Sequence, residues 1–522
     1  MSDKILGIYI VASAKDKEER YAKYLYSALE SVCKQIITIE EDMDYKKAYE
    51  EVSQKTDFDY VVISDTKVFG PTLKMKELIE RGKQDTGGCY SIPHFMMIRK
   101  DAVFVQKDFT YANYSLMDSH LEYGHAFIPK SVFEEDKRKV LKYSNGSDLR
   151  KYMTYIEENK LYDTGIIYDY LTRKMNLSDV KDSLNLTFVL PERIEHTPLY
   201  TGKKVAALCH MYYEELIPYN LRYLRNLPDG SDVYITTDEE SKKEKILEAF
   251  SPVFGEHVKV IVAAKRGREL AAFMVECRDI PLKYDYFCFI HDKKSAQLNT
   301  ATMGASFRDL LWDNMLCTRD YVGQVLNTFE EKPWLGMLIP PNVIHGTYFG
   351  TSADYWTICY DKVLDIAQRI GIEANIDRAK PPIATGSVFW CRPDAIRPLL
   401  DYDWTHEDFP EEPLPVDGSF SHALERVFPF VAQSQGYLSG IIMSNEYAQN
   451  EVTNLRYMLT GTIKSMAGLP IVRMTDFDEF AATTKEVSDL IYEGEYDPGL
   501  KRSLKNFINK HMPFHVGMKK EM

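Results

Sequence analysis

The chain has 522 residues, enough for two to four domains at roughly 100–200 residues each. Hydrophobic residues make up 45% and charged residues 27%, which suits a packed globular protein and excludes a disordered one. A net charge of −14 argues against a duplex-DNA binder held by phosphate contacts, while leaving room for a local basic patch. The 8 cysteines form no CxxC pair, so the expectation is reduced thiols in a cytoplasmic protein with no zinc ligand set.

The apolar run Ile5–Ala12 is too short for a signal peptide and reads as a first strand. A helical stretch from Lys17 to Cys33 follows, then a strand at Gln35–Glu40, a helix around Tyr45–Gln54, and a strand Tyr60–Ser64 that ends in Asp65. Strands alternating with helices predict an α/β architecture with a mainly parallel sheet, whose ligands bind beyond the carboxyl ends of the strands. Between Asn176 and Thr201 the periodicity weakens, and the polar, turn-forming run Pro191–Gly202 reads as a connection between domains.

A second α/β block starts with the strand Val205–Met211, a helix over Pro218–Asn226 and a strand Asp232–Thr236. Val258–Ala263 is a further strand. It leads into Lys265, Arg266 and Arg268, which read either as a phosphate-facing loop or as a solvated charge run. After a helix from Glu269 to Cys277, the strand Tyr286–Ile290 closes at His291-Asp292-Lys293-Lys294; more strands are predicted at Trp334–Ile339 and Ser387–Cys391. The two blocks read as copies of one another. Phe58–Lys67 matches Tyr284–Lys293 with a one-residue offset inside the strand, which pairs Asp65 with Asp292, and Arg99–Val103 matches Arg392–Ile396. The span from Asp292 to Arg392 is much longer than that from Asp65 to Arg99, so the second block carries an insertion where an acceptor pocket could be built. No segment reaches the roughly 18 continuous apolar residues of a membrane span. Near the C-terminus, Leu500, Leu504, Phe507, Ile508 and Met512 recur at helical spacing among Lys501, Arg502, Lys505 and Lys510. That pattern suits either a helix lying on anionic lipid or one packed on the protein's own body.

Three places carry residues suited to chemistry. A carboxylate and two lysines past the strand end at Asp292, Lys293 and Lys294 stand where an α/β sheet receives phosphate-bearing ligands; the alternative is a charged turn. In Phe409-Pro410-Glu411-Glu412-Pro413-Leu414-Pro415-Val416-Asp417-Gly418, Asp417 sits near a helix N-terminus. There it is either an N-cap or an ionised general base, with His422, Glu425 and Arg426 on the helix that follows. Thr385-Gly386-Ser387-Val388-Phe389-Trp390-Cys391-Arg392 couples a glycine that lets a ligand approach backbone with Arg392, either a phosphate clamp or a structural partner.

In this order, these segments resemble the rhamnan synthesis protein F family of bacterial polysaccharide glycosyltransferases. The matching pieces are Val205–Tyr213 with Asp232–Asp238, His291-Asp292-Lys293-Lys294-Ser295, Trp334-Leu335-Gly336 with Pro340-Pro341, Gly386 to Arg392-Pro393, and Phe409–Pro413 with Asp417-Gly418 and His422–Arg426. The resemblance implies a GT-A-like, Rossmann-like nucleotide-sugar-binding domain at 200–470. A degenerate α/β domain of similar type precedes it at 1–190, and a basic amphipathic tail follows at 471–522. It further implies inverting transfer of L-rhamnose or a related sugar from a dTDP-sugar to a lipid-linked or growing cell-surface glycan, in the cytoplasm or on the inner membrane face, without nucleic acid. Two other readings are a non-catalytic scaffold of polysaccharide assembly and an enzyme of the same fold using another nucleotide sugar. Under the transferase reading Asp417 is the base and Asp292 contacts donor or metal. Lys293, Lys294 and Arg392 meet the diphosphate, and His291, Gly386, His422 and Arg426 complete the donor site. Where GT-A enzymes carry Asp-x-Asp, this chain has His291-Asp292-Lys293. Either Asp292 and His291 support Mg²⁺ or Mn²⁺, or Lys293 and Lys294 replace the metal's charge in a metal-independent mechanism.

Overall fold

The computed structural model describes residues 3–466 apart from 55, 106–114, 142–145, 196, 295–300, 346–355, 384–385 and 416, so the tail from Leu500, Ser295, Thr385 and Val416 lie outside the described residues. Met1–Asp136 with Ser147–Ala448 forms one unit, and Lys137–Gly146 with Gln449–Met522 a second. Both large sheets belong to the first unit.

In chain order the strands are β1 (Ile5–Ile10), β2 (Gln35–Ile39), β3 (Tyr60–Asp65), β4 (Val68–Phe69), β5 (Cys89–Ile92), β6 (Phe95–Arg99), β7 (Ile128–Pro129) and β8 (Thr187–Leu190). The chain continues with β9 (Val205–His210), β10 (Asp232–Thr237), β11 (Val258–Val262), β12 (Tyr286–His291), β13 (Leu335–Ile339), β14 (Phe389–Cys391) and β15 (Leu438–Ser444). One sheet runs β2-β1-β3-β6-β5 and another β11-β10-β9-β12-β14-β13-β15-β8. In the larger sheet β14 runs antiparallel to β12 and β13, and the remaining pairings are parallel. The chain is thus α/β, as its alternation of elements requires. Strands such as β9 and β12 are buried along their whole length, and continuous apolar runs are what a sheet covered on both faces demands.

Two details differ from the sequence reading. β8 precedes residue 190, yet it pairs with β15 at the edge of the larger sheet. The helices Leu149–Glu158, Thr164–Lys174 and Leu177–Ser183 share that sheet's core through Leu149, Ile167 and Leu177. The second difference is the frame of the duplication. Tyr60 pairs with Ile5 and Arg99 in the smaller sheet; Tyr286 pairs with Val205 in the larger one and falls opposite Arg392, next to the pair Phe287–Cys391. The Lys4 amide donates to Asp59 at 2.7 Å, as the Lys204 amide does to Asp285 at 2.8 Å. Thr66 N–H donates to the Ile10 carbonyl and Asp292 N–H to the His210 carbonyl, each at 3.0 Å. Continuous registers of this kind leave no room for the expected offset: Asp65 corresponds to His291, Thr66 to Asp292 and Lys67 to Lys293. A strand buried on both faces has no polar side to fix its phase, so a one-residue slip is invisible in its sequence.

Most of the extra length falls at one turn, the rest between β12 and β13. In the smaller sheet β5 turns into β6 through Pro93 and His94 alone, with Ile92 paired to Phe95. In the larger sheet the matching turn, between β13 and β14, is replaced by residues 340–388, which include the helix Tyr360–Arg369.

Candidate functional site

β9 and β12 are adjacent parallel strands, and the chain leaves them in opposite directions across the sheet, β9 towards β10 and β12 away from it. Such a reversal opens a crevice beyond the carboxyl ends of the two strands. His210 and His291 stand opposite each other at its floor. Asp292 Oδ2 closes the crevice at backbone level, accepting from the amides of Tyr212 at 2.9 Å and Tyr213 at 2.8 Å. Burial pushes its carboxyl up to about 7, against the opposing pull of those two amides. The same burial pulls His210 down to about 4 and lowers His291, so both imidazoles are neutral at neutral pH. His210 Nδ1 lies 2.9 Å from the Thr236 hydroxyl, and His291 Nδ1 lies 2.9 Å from the Asp292 carbonyl.

Glu269 enters from the loop after β11. Gly267 and Arg268 both adopt left-handed backbone, at φ 70° and 53°, and a side chain on Gly267 would collide with Phe409. Two consecutive left-handed residues turn the chain sharply into the short helix Arg268–Ala271, where Glu269 accepts from the Ser387 hydroxyl at 3.0 Å. Burial acts to raise its carboxyl, but His291, His210 and its hydrogen bonds outweigh burial and hold it below the usual carboxylate range. Sequence reasoning missed Glu269, because one acid beside Lys265, Arg266 and Arg268 reads as part of a charge run. Those three cations are not free: Lys265 pairs with Glu239 at 2.7 Å, Arg266 with Glu411 at 3.4 Å and Arg268 with Glu412 at 2.9 Å. Arg266 and Arg268 are therefore the clamp on which the Pro-rich loop 409–415 is seated, while Lys265 turns to Glu239.

That loop leads to Asp417. Its Oδ2 accepts from the Thr357 hydroxyl at 2.5 Å, its Oδ1 lies 3.6 Å from Cys359 Sγ, and Arg426 Nη2 lies 3.6 Å away. Burial acts to raise this carboxyl, but the Thr357 hydroxyl, the Gly418 amide, Arg426 and His422 together hold it below its ordinary value. Thr357 belongs to the insertion and no local pattern announced it. Ser419 caps the helix Phe420–Ser434 and is bonded in turn by His422, whose Nδ1 lies 2.7 Å from the Ser419 hydroxyl. Burial lowers the His422 pKa. Asp417 therefore lies ahead of the N-cap, which Ser419 fills. Buried Arg426 also donates to the His422 carbonyl at 2.5 Å.

The residues expected at a donor site separate into two groups. Lys293 is partly buried with its ammonium 3.8 Å from the centre of the Phe307 ring, and among the described residues it makes no hydrogen bond or ion pair. Burial lowers its pKa, while Glu425 and Glu269 act to raise it. Gly386 has φ 137° and open space where a side chain would stand. Lys294, in contrast, is exposed and paired with Glu215 at 2.5 Å. Arg392 is a correction. Its guanidinium donates to the Leu335 carbonyl at 2.9 Å, the Phe329 carbonyl at 2.5 Å and the Tyr286 hydroxyl at 3.1 Å, so it knits β12 to the neighbouring chain instead of facing a diphosphate. Trp390 is likewise core, fully buried with its indole donating to the Met315 carbonyl.

Glu269 lies within electrostatic reach of Asp292, Lys293, His422 and Glu425, and Glu425 within reach of Lys293 and Asp417. The strand-end group and the Asp417 group are thus linked through the charges of Glu269 and Glu425. Among the described residues no group of three or more His, Cys, Asp or Glu side chains is arranged to hold a metal ion. The crevice of the smaller sheet is built on the same backbone and filled differently. Thr66 accepts from the Ala12 amide at 2.9 Å, taking the place of Asp292, and donates to Asp16 at 2.9 Å. Asp16 also accepts from Tyr21 at 2.7 Å and lies 3.5 Å from Lys130. Lys67, the counterpart of Lys293, pairs with Asp42 at 2.6 Å.

Comparison with known proteins adds the following. The family described as Rhamnan synthesis protein F matches residues 84–437. Two curated proteins, each called uncharacterized protein WxcX and found in two strains of Xanthomonas campestris pv. campestris (B100 and ATCC 33913), are each 27% identical over 176 residues. The match covers 33% of this chain and 23% of theirs, so the chain spans about a quarter of the length of those relatives.

Proposed function

The chain belongs to the rhamnan synthesis protein F family, and on that premise we propose that it is a glycosyltransferase. In this reading it moves L-rhamnose, or a related sugar, from a dTDP-sugar to a lipid-linked or growing cell-surface glycan. The larger sheet is read as a GT-A-like nucleotide-sugar domain. Its support is the strand order β11-β10-β9-β12 with the reversal at β9 and β12, followed by the single antiparallel strand β14. The observation that carries the proposal is Lys293: a cation just past the end of β12 that makes no hydrogen bond or ion pair among the described residues, set where a sheet of this class receives phosphate.

The reaction assigned to the site is an in-line displacement with inversion. Lys293 offsets the charge that grows on the leaving diphosphate, and such fixed charge in a water-poor site is usually the largest catalytic contribution. The Asp292 carboxyl and the backbone after β9 hold the floor, and a carboxylate on the Asp417–Glu425 side takes the proton of the acceptor hydroxyl. Mg²⁺ or Mn²⁺ fits these residues poorly. The only carboxylate at the metal-motif position spends one oxygen on two backbone amides, has its pKa raised to about 7, and adjoins a lysine. No step is therefore routed through a metal ion.

The smaller sheet is read as a degenerate copy, because Asp16, Thr66, Tyr21 and Lys130 satisfy one another where the second copy leaves Lys293 unpaired. The protein is placed in the cytoplasm or at the inner membrane face, with the tail from Leu500 as the candidate membrane contact. No helix among the described residues is long and apolar enough to cross a membrane. Purified protein incubated with dTDP-L-rhamnose and lipid-linked acceptors, with and without EDTA, gives an acceptor mass gain of one deoxyhexose in both arms. No gain with this donor, but a gain with a UDP- or GDP-sugar, moves the proposal to another donor. Loss of the gain in EDTA alone overturns the metal-free mechanism.

A further inference from the structure

Building on the transferase reading, we infer that Thr357 is the positioning residue that holds Asp417 to take the acceptor proton, and that its strained backbone is kept for its hydroxyl. Thr357 stands at φ 50°, in the left-handed region. For a β-branched residue that is a genuine outlier, whereas glycine adopts it freely. What threonine adds is a hydroxyl 2.5 Å from Asp417 Oδ2. The carboxylate's other side-chain contacts, Cys359 Sγ and Arg426 Nη2, both stand at 3.6 Å. Thr357 therefore makes the closest of these contacts by about an ångström, enough to set where the carboxylate lies. Against burial, that hydroxyl is foremost among the groups that keep the Asp417 carboxyl below its ordinary value.

Strain of this kind persists only where the surroundings over-determine the backbone. On one side of the turn Trp356 stacks on Phe430 of the helix Phe420–Ser434, ring centres 5.8 Å apart, and its indole donates to the Lys380 carbonyl. On the other side Cys359 is fully buried. Between them Ile358 is 74% exposed, so the turn itself lies at the surface. Ile358 rests on Gly418, which is also left-handed at φ 78° and where any side chain would collide with it. Lys362 donates to the Gly418 carbonyl. The insertion is thus fitted closely to the chain at Asp417 and Gly418. Arg266 and Arg268, just past the carboxyl end of β11, hold Glu411 and Glu412, so the chain reaches Asp417 from the side of the sheet where the crevice opens.

The hydroxyl suits both protonation states of Asp417. Its single proton has two acceptors in reach, Asp417 Oδ2 and the Trp356 carbonyl at 2.7 Å. While Asp417 is ionised, the charged oxygen is the stronger acceptor. The acceptor O–H then gives its proton to Asp417 as the acceptor oxygen bonds to the anomeric carbon. The bond from that carbon to the β-phosphate oxygen breaks, and its electron pair leaves on dTDP. With Asp417 protonated, the Thr357 hydroxyl turns to the Trp356 carbonyl and keeps a partner.

The test uses the full-length protein and dTDP-L-rhamnose, following dTDP release into water or an added hydroxyl acceptor, with calorimetric dTDP binding and thermal unfolding alongside. Thr357→Val keeps the shape and loses the hydroxyl, Thr357→Ser keeps the hydroxyl, and Thr357→Gly loses the hydroxyl and the strain together. Thr357→Val and Thr357→Gly lose about 10- to 100-fold in kcat, the range for a lost hydrogen bond to a charged group, with donor KM and dTDP affinity nearly unchanged. Thr357→Ser recovers most of the wild-type kcat. Thr357→Gly unfolds at a higher temperature than Thr357→Val, because relief of the left-handed strain outweighs the entropy cost of glycine. Wild-type kcat in Thr357→Val, or a loss in Thr357→Ser as deep as in Thr357→Val, overturns the inference and leaves the transferase reading standing. A midpoint for Thr357→Gly at or below that of Thr357→Val overturns the strain argument. No release of nucleoside diphosphate by the wild type from any nucleoside diphosphate sugar overturns the transferase reading itself, and the inference with it.

Discussion

Replacing Asp292 by asparagine should make the protein more stable above neutral pH, an unusual direction for removal of a carboxylate. The sign follows from its surroundings. Burial raises the carboxyl from 3.8 to about 7, so the folded chain binds this proton more tightly than the unfolded chain does. Between about pH 4 and pH 7 the native state therefore holds the extra proton, and stability falls as pH rises through that window. At about 1.4 kcal/mol per pH unit, the displacement sets a ceiling of about 4 kcal/mol on the penalty, fully developed only above pH 7. Asparagine keeps a carbonyl oxygen for the Tyr212 and Tyr213 amides and carries no charge. Alanine keeps neither, and each buried amide left without an acceptor costs about 1–3 kcal/mol at every pH.

The assay is thermal unfolding followed by tryptophan fluorescence at half-unit steps from pH 5 to 9. Because the chain exceeds the size for which two-state unfolding is a safe assumption, the ordering of midpoints is compared in place of free energies. The expected order at pH 8.5 is Asp292→Asn above wild type above Asp292→Ala. At pH 5 the gap between asparagine and wild type shrinks to less than half of its full size, closing only near pH 4, while alanine stays low. If wild type gains stability with rising pH and Asp292→Asn falls below it at pH 8.5, the carboxylate is ionised and stabilising. The argument against a cation at this position would then fail as well.

Three further outcomes are expected. Lys293→Met weakens dTDP binding about 10- to 100-fold by calorimetry, the value of roughly 1.5–3 kcal/mol for a hydrogen bond to a charged group; unchanged affinity would remove the diphosphate role. Wild-type protein binds one dTDP per chain, because the crevice of the smaller sheet is closed by Asp16 and Thr66; a second site that survives Lys293→Met would contradict that closure. Arg392→Met lowers the unfolding midpoint, losing three hydrogen bonds at a cost of at least about 3 kcal/mol, yet leaves the dTDP affinity of the folded protein unchanged. A Kd shift comparable to that of Lys293→Met would return Arg392 to the donor site.

The sequence was legible where a single period or a single break carries the signal. Apolar runs and amphipathic stretches read β1 to β3 and β9 to β14 nearly to the residue but missed β5, β6, β8 and β15, and the mismatch between the Asp65–Arg99 and Asp292–Arg392 spans showed that the second copy is longer. It was illegible where the answer depends on which way a side chain points. Arg392 follows a strand, and a guanidinium there can turn inward to backbone carbonyls or outward to a ligand; only packing against Leu335, Phe329 and Tyr286 decides. The basic run at 265–268 posed the same ambiguity, which the glutamates of a loop more than a hundred residues later settled. Glu269 was hidden by the company it keeps, and Thr357 by its distance from Asp417.

The duplication explains why the chemistry collects in one half. Both copies inherit the same floor, down to the amide at the end of the first strand that donates to Thr66 in one and to Asp292 in the other. A floor alone binds nothing in particular, and in the smaller sheet the two-residue turn at Pro93 and His94 leaves no chain to build walls. That crevice collapses onto its own side chains. In the larger sheet residues 340–388 replace the turn and bring Thr357 to Asp417 and Ser387 to Glu269, so the insertion grips both carboxylates flanking the crevice. With those two held by the insertion, Lys293 is left without a hydrogen bond or ion pair among the described residues. Held carboxylates beside an unpaired ammonium are the asymmetry that a displacement needs: fixed groups to orient, and one charge left over to meet the leaving group.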